Sequence, residues 1–207
     1  MLKTTLILDF DGTIVQSGEL IYRCLTQYTG RHDLSWVDLK DLSSDNVIEA
    51  FGIKRYELPL FIYRIRKAFK AQLFQQEIVT GLSDILIKMH QEGTQLHIVS
   101  SNSQTNIEAF LQDQHLHSII SSVICCHTIF GKAKGIKKCL ENIKCDMSNT
   151  FYIGDETRDI EAAKQAGIAS VAVSWGYNSA HILSQYQPDH LFEHPSELTT
   201  LLPKVTP

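Results

Sequence analysis

The chain lacks long apolar runs. Nowhere in its 207 residues do apolar side chains approach the roughly 18 in succession that a membrane-spanning helix needs. Excess charge is lacking too. The 19 Lys and Arg stand against 23 Asp and Glu, a net charge of -4. A surface built for nucleic acid or anionic lipid would be strongly basic, so neither a nucleic acid nor a membrane is expected as a partner. The five cysteines (Cys24, Cys125, Cys126, Cys139, Cys145) form no regular framework and no zinc-finger spacing. Cys125 and Cys126 lie in an apolar run and read as small core residues. Met1-Leu2-Lys3-Thr4-Thr5 shows no signal-peptide layout, so a cytoplasmic location is expected. No repeat and no low-complexity segment is present, and the Pro203–Pro207 tail reads as a frayed end.

What is present fits a globular protein with a real core: 43% of residues are hydrophobic and 20% charged. Short runs rich in Ile, Val and Leu fall at Thr5–Asp9, Gln95–Ser101, Ser121–Cys126, Thr150–Ile153 and Ser170–Val173. Continuous apolar runs of that length read as strands buried on both faces. Helical patterns lie between them at Gly81–Gln91, Ser103–Gln112, Ala133–Asn142 and Asp159–Ala166. Such alternation predicts an α/β protein with a parallel sheet and helices on both faces. Gly167 sits where a helix-ending glycine belongs.

The stretch between the first two strands is too long for an ordinary crossover. Its helical patterns, Glu19–Thr29 and Leu58–Phe74 among them, predict an all-helical insert hinged near Val15–Gly18 and Glu77–Gly81. The domains expected are a core of residues 1–16 and 79–207 and an insert of residues 17–78. The basic residues Arg55, Arg64, Arg66, Lys67 and Lys70 could meet an anionic ligand, and a solvated helix face is the favoured reading.

Ligands of open α/β sheets bind beyond the carboxyl ends of the strands, so each strand's last residues matter most. The first strand ends in Asp9-Phe10-Asp11-Gly12-Thr13. Two carboxylates two residues apart at a strand tip point the same way and repel. The Gln95 strand ends in Ser101-Asn102, hydroxyl and amide groups at a helix start, a setting that suits phosphate. The Thr150 strand ends in Gly154-Asp155-Glu156-Thr157-Arg158-Asp159. Carboxylates gathered from these strands would repel strongly and need a cation. Oxygen ligands without Cys or His point to Mg²⁺. Lys132 and Lys134, in Gly131-Lys132-Ala133-Lys134, can reach the same edge and suit a phosphoryl oxygen.

In this order the segments resemble the four motifs of the haloacid dehalogenase-like phosphohydrolases. The insert stands where that superfamily carries its helical C1 cap. Asp159-Ile160-Glu161-Ala162-Ala163-Lys164-Gln165-Ala166-Gly167, Trp175-Gly176-Tyr177-Asn178 and Pro188-Asp189-His190 before a last short strand look like the phosphoglycolate phosphatase-like branch. Gln16-Ser17 departs from the Asp-Ser of many relatives, and Lys132-Ala133-Lys134 from their Lys-Pro. Lys132 is favoured as the motif lysine because it follows Phe130-Gly131.

The resemblance implies a doubly wound parallel-sheet core under a small helical cap. It implies a Mg²⁺-dependent phosphatase acting on a small phosphorylated metabolite, phosphoglycolate among the possibilities. A phosphomutase, a pyrophosphatase or a non-catalytic phosphometabolite sensor are the alternatives. Asp9 would be the nucleophile, Asp11 the acid and base, and Ser101 and Lys132 the groups stabilising the phosphoryl oxygens. Gly12, Thr13 and Asn102 would join them in binding substrate. The metal would rest on the Asp9 carboxylate, the Asp11 main-chain carbonyl and Asp155, with Asp159 orienting the lysine or a water. A monomer or small homo-oligomer is expected.

Overall fold

The computed structural model describes residues 3–126 and 131–203. Phe130 and the tail from residue 204 lie outside them, so the readings that touch those residues are left at the sequence. Six described strands form one parallel sheet: β1 (Thr5–Leu8), β2 (Gln95–Ser100), β3 (Ile120–Cys125), β4 (Thr150–Gly154), β5 (Ala169–Val173) and β6 (His190–Phe192). Their order is β3-β2-β1-β4-β5-β6. β1 pairs with β2 on one side and β4 on the other, Leu8 lying opposite Ile98 and Ile153.

The side-chain alternation of β1 divides the core. Leu6 and Leu8 pack on one face with Leu82, Leu86, Ile107 and Phe110. Those partners come from α5 (Leu82–Gln91) and α6 (Gln104–Asp113). Ile7 faces the other way, into Ile136, Tyr152 and Ala163. Ile136 and Ala163 belong to α7 (Lys132–Asn142) and α8 (Thr157–Ala166). A strand covered on both faces gains nothing from polar residues, which is why the run Leu6-Ile7-Leu8 is unbroken and fully buried. The chain leaves β1 towards β2 and β3, then crosses back over the other face to β4. The strand order therefore reverses between β1 and β4, and the crevice at such a switch point is where this architecture binds ligands.

Between β1 and α5 lie α1 (Gly18–Thr29), α2 (Trp36–Lys40), α3 (Ser44–Ala50) and α4 (Leu58–Ala71). Gly30 ends α1 with a positive φ of 72° and gives its N–H to Thr26. Ser35 and Ser43 cap α2 and α3 through their side chains. These helices have an apolar cluster of their own, with Leu25, Leu39, Val47, Phe51 and Phe61 buried. The two crossings between this insert and the sheet meet where Val15 bridges Ile78, and Gln16 N–H donates to Glu77 at 2.8 Å.

The helix expected over 58–74 stops at Ala71 and continues as a 3-10 turn, Leu73–Gln75. Among the described residues no helix is long and apolar enough to cross a membrane.

Candidate active site

Asp9 follows β1 and keeps its place in the ladder, its N–H donating to Ile153 at 2.8 Å. Because β1 and β4 are neighbours, Asp9 and the Asp155–Asp159 turn leave adjacent strands. Asp9 is 3% exposed. One of its carboxylate oxygens accepts from the Phe10 N–H at 2.7 Å, and the other is paired with the Lys132 ammonium. Lys132 also pairs with Asp159. Burial acts to lower the pKa of this lysine, but Asp159 and Asp9 outweigh it and hold it above the usual value. Lys132 is thus a charged ammonium locked between two buried carboxylates.

Asp11 is partly buried, and the Asn102 amide donates to both of its oxygens, at 3.2 and 3.0 Å. Burial first, then the charge of Asp9, pushes its pKa up to about 7. Asn102 is itself fixed by Asn106, whose amide donates to the Asn102 oxygen and to the Arg66 carbonyl, each at 3.0 Å. Asp9, Asp11, Ser101 and Asn102 all line one cavity of about 100 Å³ between insert and sheet.

Asp155 is fully buried. Thr13 donates its hydroxyl to one Asp155 oxygen at 2.8 Å, and the Tyr177 N–H donates to the other at 2.7 Å. Burial, followed by Glu156, Asp159 and Asp9, raises its pKa well above the carboxylate range. Gly12 and Thr13, expected to join in holding substrate, each have a partner within the protein. The Gly12 N–H donates to the Val15 carbonyl at 2.9 Å, and Thr13 is fully buried against Asp155.

Gly12 has a φ of +77°, and a Cβ there would fall 2.0 Å from an Asp155 oxygen. Gly30 has a similar φ of +72° with nothing within 4 Å of such a Cβ. Gly12→Ala is therefore expected to cost at least about 2 kcal/mol, or roughly 4–8 °C in melting temperature, against about 1–2 kcal/mol for Gly30→Ala. Equal melting temperatures for the two variants would show that contact with Asp155 does not set the need for glycine.

The sequence did not single out Glu156. It accepts from Ser44 of the insert at 2.6 Å and pairs with Arg158. Carboxylate oxygens of Asp9, Glu156 and Asp159 lie within 4.8 Å of one another. The cluster offers only carboxylate oxygens, the donor type that suits a hard divalent cation such as Mg²⁺, and Lys132 and Arg158 already balance part of its charge. Asp155, the acid expected there, stands in the adjoining position with both oxygens hydrogen-bonded.

Arg66 corrects the reading of α4 as a wholly solvated basic face. Its guanidinium reaches down to the Ser101 carbonyl at 2.9 Å and the Cys126 carbonyl at 3.1 Å. Nothing in a run such as Arg64-Ile65-Arg66-Lys67 marks that arginine, because its acceptors are main-chain atoms. On the opposite side, the loop Trp175–Asn178 holds the insert. Asn178 donates to the Leu42 carbonyl at 2.7 Å, and the Tyr177 ring meets Trp36 edge-on at 5.0 Å.

Strand order and site together define a doubly wound α/β protein with an acidic, lysine-paired centre at its switch point. Residues 6–173 match the family described as haloacid dehalogenase-like hydrolase. The chain is 32% identical to a phosphoglycolate phosphatase of Synechococcus elongatus over 93% of its length and 94% of that protein. It is 25% identical to the pyrophosphatase PpaX of Anoxybacillus flavithermus, over 96% of each. A solved structure titled as a predicted phosphatase from Clostridium acetobutylicum shares the fold, with a TM-score of 0.81 at 20% identity, over 97% of this chain and 98% of that one. The chain belongs to the haloacid dehalogenase-like hydrolases and is an enzyme of that family.

Proposed function

We propose that this protein is a Mg²⁺-dependent cytoplasmic phosphatase that hydrolyses a small phosphomonoester through a phosphoaspartate on Asp9. The observation that carries this reading is the convergence of Asp9, Asp11, Ser101 and Asn102 on one cavity, with the Lys132 ammonium paired to Asp9. Likeness to a phosphoglycolate phosphatase over nearly the whole chain supports it. Residues 1–16 and 79–207 act as the core and 17–78 as the cap, a division supported by the Val15–Ile78 bridge at the crossings.

The Asp9 carboxylate attacks phosphorus, and the ester P–O bond breaks. Asp11 gives its proton to the departing alcohol oxygen. Water then adds to phosphorus, returns a proton to Asp11 and frees phosphate with Asp9 restored. Lys132, Ser101 and Asn102 hold the phosphoryl oxygens in place, which is most of what catalysis of phosphoryl transfer requires. Asn102 also keeps the Asp11 carboxyl turned towards the cavity. Asp159 keeps the ammonium of Lys132 against Asp9.

Asp9, the Asp11 carbonyl and the Asp155–Glu156 turn would hold the Mg²⁺. Each Asp155 oxygen keeps a lone pair beyond its hydrogen bond. When bound, the ion neutralises the approach of one anion to another. Phosphate release from a simple phosphomonoester, p-nitrophenyl phosphate, tests the reading. Excess chelator is expected to cut it by at least about 100-fold, and excess Mg²⁺ to restore it. Full activity under chelation would remove the metal from the reading.

A further inference from the structure

Two arginines line the cavity over Asp9, Arg66 from α4 of the insert and Arg158 from α8 on the sheet side. Both are half-buried. The acceptors of Arg66 are the main-chain carbonyls of Ser101 and Cys126. Carbonyls are neutral, and among the described residues no carboxylate pairs with this guanidinium. Arg66 therefore keeps a full positive charge at the cavity without a counter-ion, where charges withdrawn from water call for a partner.

Arg158 has one anionic partner, Glu156, and its side chain is still 20% exposed. Its Nε–H is buried and has no partner among the described residues. A guanidinium carries five N–H donors, so the bond to Glu156 leaves capacity for a second acceptor.

The transferring phosphoryl group has its own partners in Lys132, Ser101 and Asn102. Attack in line puts the departing oxygen on the side of phosphorus away from Asp9. Asp9 stands at the sheet edge, so the leaving group extends towards the insert, where Ile21, Ile48 and Ile65 line the cavity with Arg66 beside them. Those apolar side chains take a short carbon link and do not set its charge. The arginines set it. Glu156 balances Arg158, and Asp11 enters the reaction protonated, which leaves the one positive charge of Arg66. A carboxylate carries one negative charge and has the planar shape a guanidinium fork matches, whereas a phosphate carries nearly two.

We infer that Arg66 and Arg158 seat a carboxylate on the leaving group, so that the substrates are phosphate esters of short hydroxy acids. This rests on the phosphatase reading and narrows it. The hydroxy acid leaves with the ester oxygen and the Asp11 proton, and water supplies the oxygen that replaces it on phosphorus.

Phosphoglycolate and its amide, phosphoglycolamide, test this with the full protein in Mg²⁺. The two have the same shape, and only the first carries the carboxylate. kcat/KM is expected to be at least about tenfold higher for the acid. The ratio is expected to fall below about threefold in Arg66→Gln and in Arg158→Gln. Taking the ratio cancels any general loss of folded protein, which both substrates share. Binding gives a second readout on the wild type alone. 3-Phosphonopropionate, whose C–P bond is not hydrolysed, is expected to inhibit at least about tenfold more tightly than its amide.

A ratio near one in the wild type, or one that persists in either variant, overturns the inference alone while p-nitrophenyl phosphate is still hydrolysed. Inorganic pyrophosphate preferred about tenfold over phosphoglycolate also overturns it, by seating a second phosphate at the arginines. Failure of every phosphoester, p-nitrophenyl phosphate included, removes the phosphatase reading and the inference with it.

Discussion

Asp9→Asn is expected to lower turnover by at least about 10⁴-fold for every substrate, while cooperative unfolding is kept. The amide has the size of the carboxylate but cannot displace an alcohol from phosphorus to form a stable acyl phosphate. The Phe10 N–H still finds an oxygen to bond, and Lys132 still has Asp159. The β1 ladder is untouched, because the Asp9 N–H bond to Ile153 is a main-chain one. Single-turnover experiments with quenching should trap phosphate on the wild-type protein and none on the variant. Near-normal steady-state turnover by Asp9→Asn would place the nucleophile elsewhere.

Lys132→Met carries the second large effect, and it falls on stability as well as activity. The methionine fills similar space but leaves Asp9 and Asp159, both nearly inaccessible to water, without their cation. Removing one partner from a buried ion pair costs about 3–5 kcal/mol, because the abandoned charge cannot be rehydrated. The denaturant midpoint should fall accordingly, and turnover should drop by roughly 10²–10³-fold through loss of the positive charge at the phosphoryl oxygens. Adding Asp159→Asn removes one of the two stranded charges and should recover part of the stability without recovering the activity. A midpoint unchanged in Lys132→Met would mean that Lys132 is not the cation that balances Asp9 and Asp159.

Much of the fold was legible because both-face burial writes itself into sequence. β1 to β5 stand at the five apolar runs, to within a residue or two, since each packs apolar side chains against the helices that flank the sheet. β6 has three residues, too few to make a run, and only the family likeness pointed to it. α2 and α3, with five and seven residues, are too short for periodicity to show; their serine caps were the available signal.

At the site, the polar residues at strand ends that the structure brings to the switch point were visible: Asp9, Asp11, Ser101, Asn102 and Asp155. Those that act through tertiary placement were not. Arg66 looks like its basic neighbours until the chain brings the Ser101 carbonyl beneath it. Glu156 looks like an ordinary turn acid until Ser44, 112 residues earlier, meets it. Thr13 sits in the right motif but is turned to a partner that no local pattern could supply.

The position of β1 within the sheet has a consequence for endurance. Two strands shield it on one side and three on the other. Breathing that starts at either rim must peel away β2 or β4 before Asp9 loses alignment. Fraying of β3 or β6 therefore leaves the Asp9 carboxylate where it was, and its alignment fails only once β2 or β4 is lost.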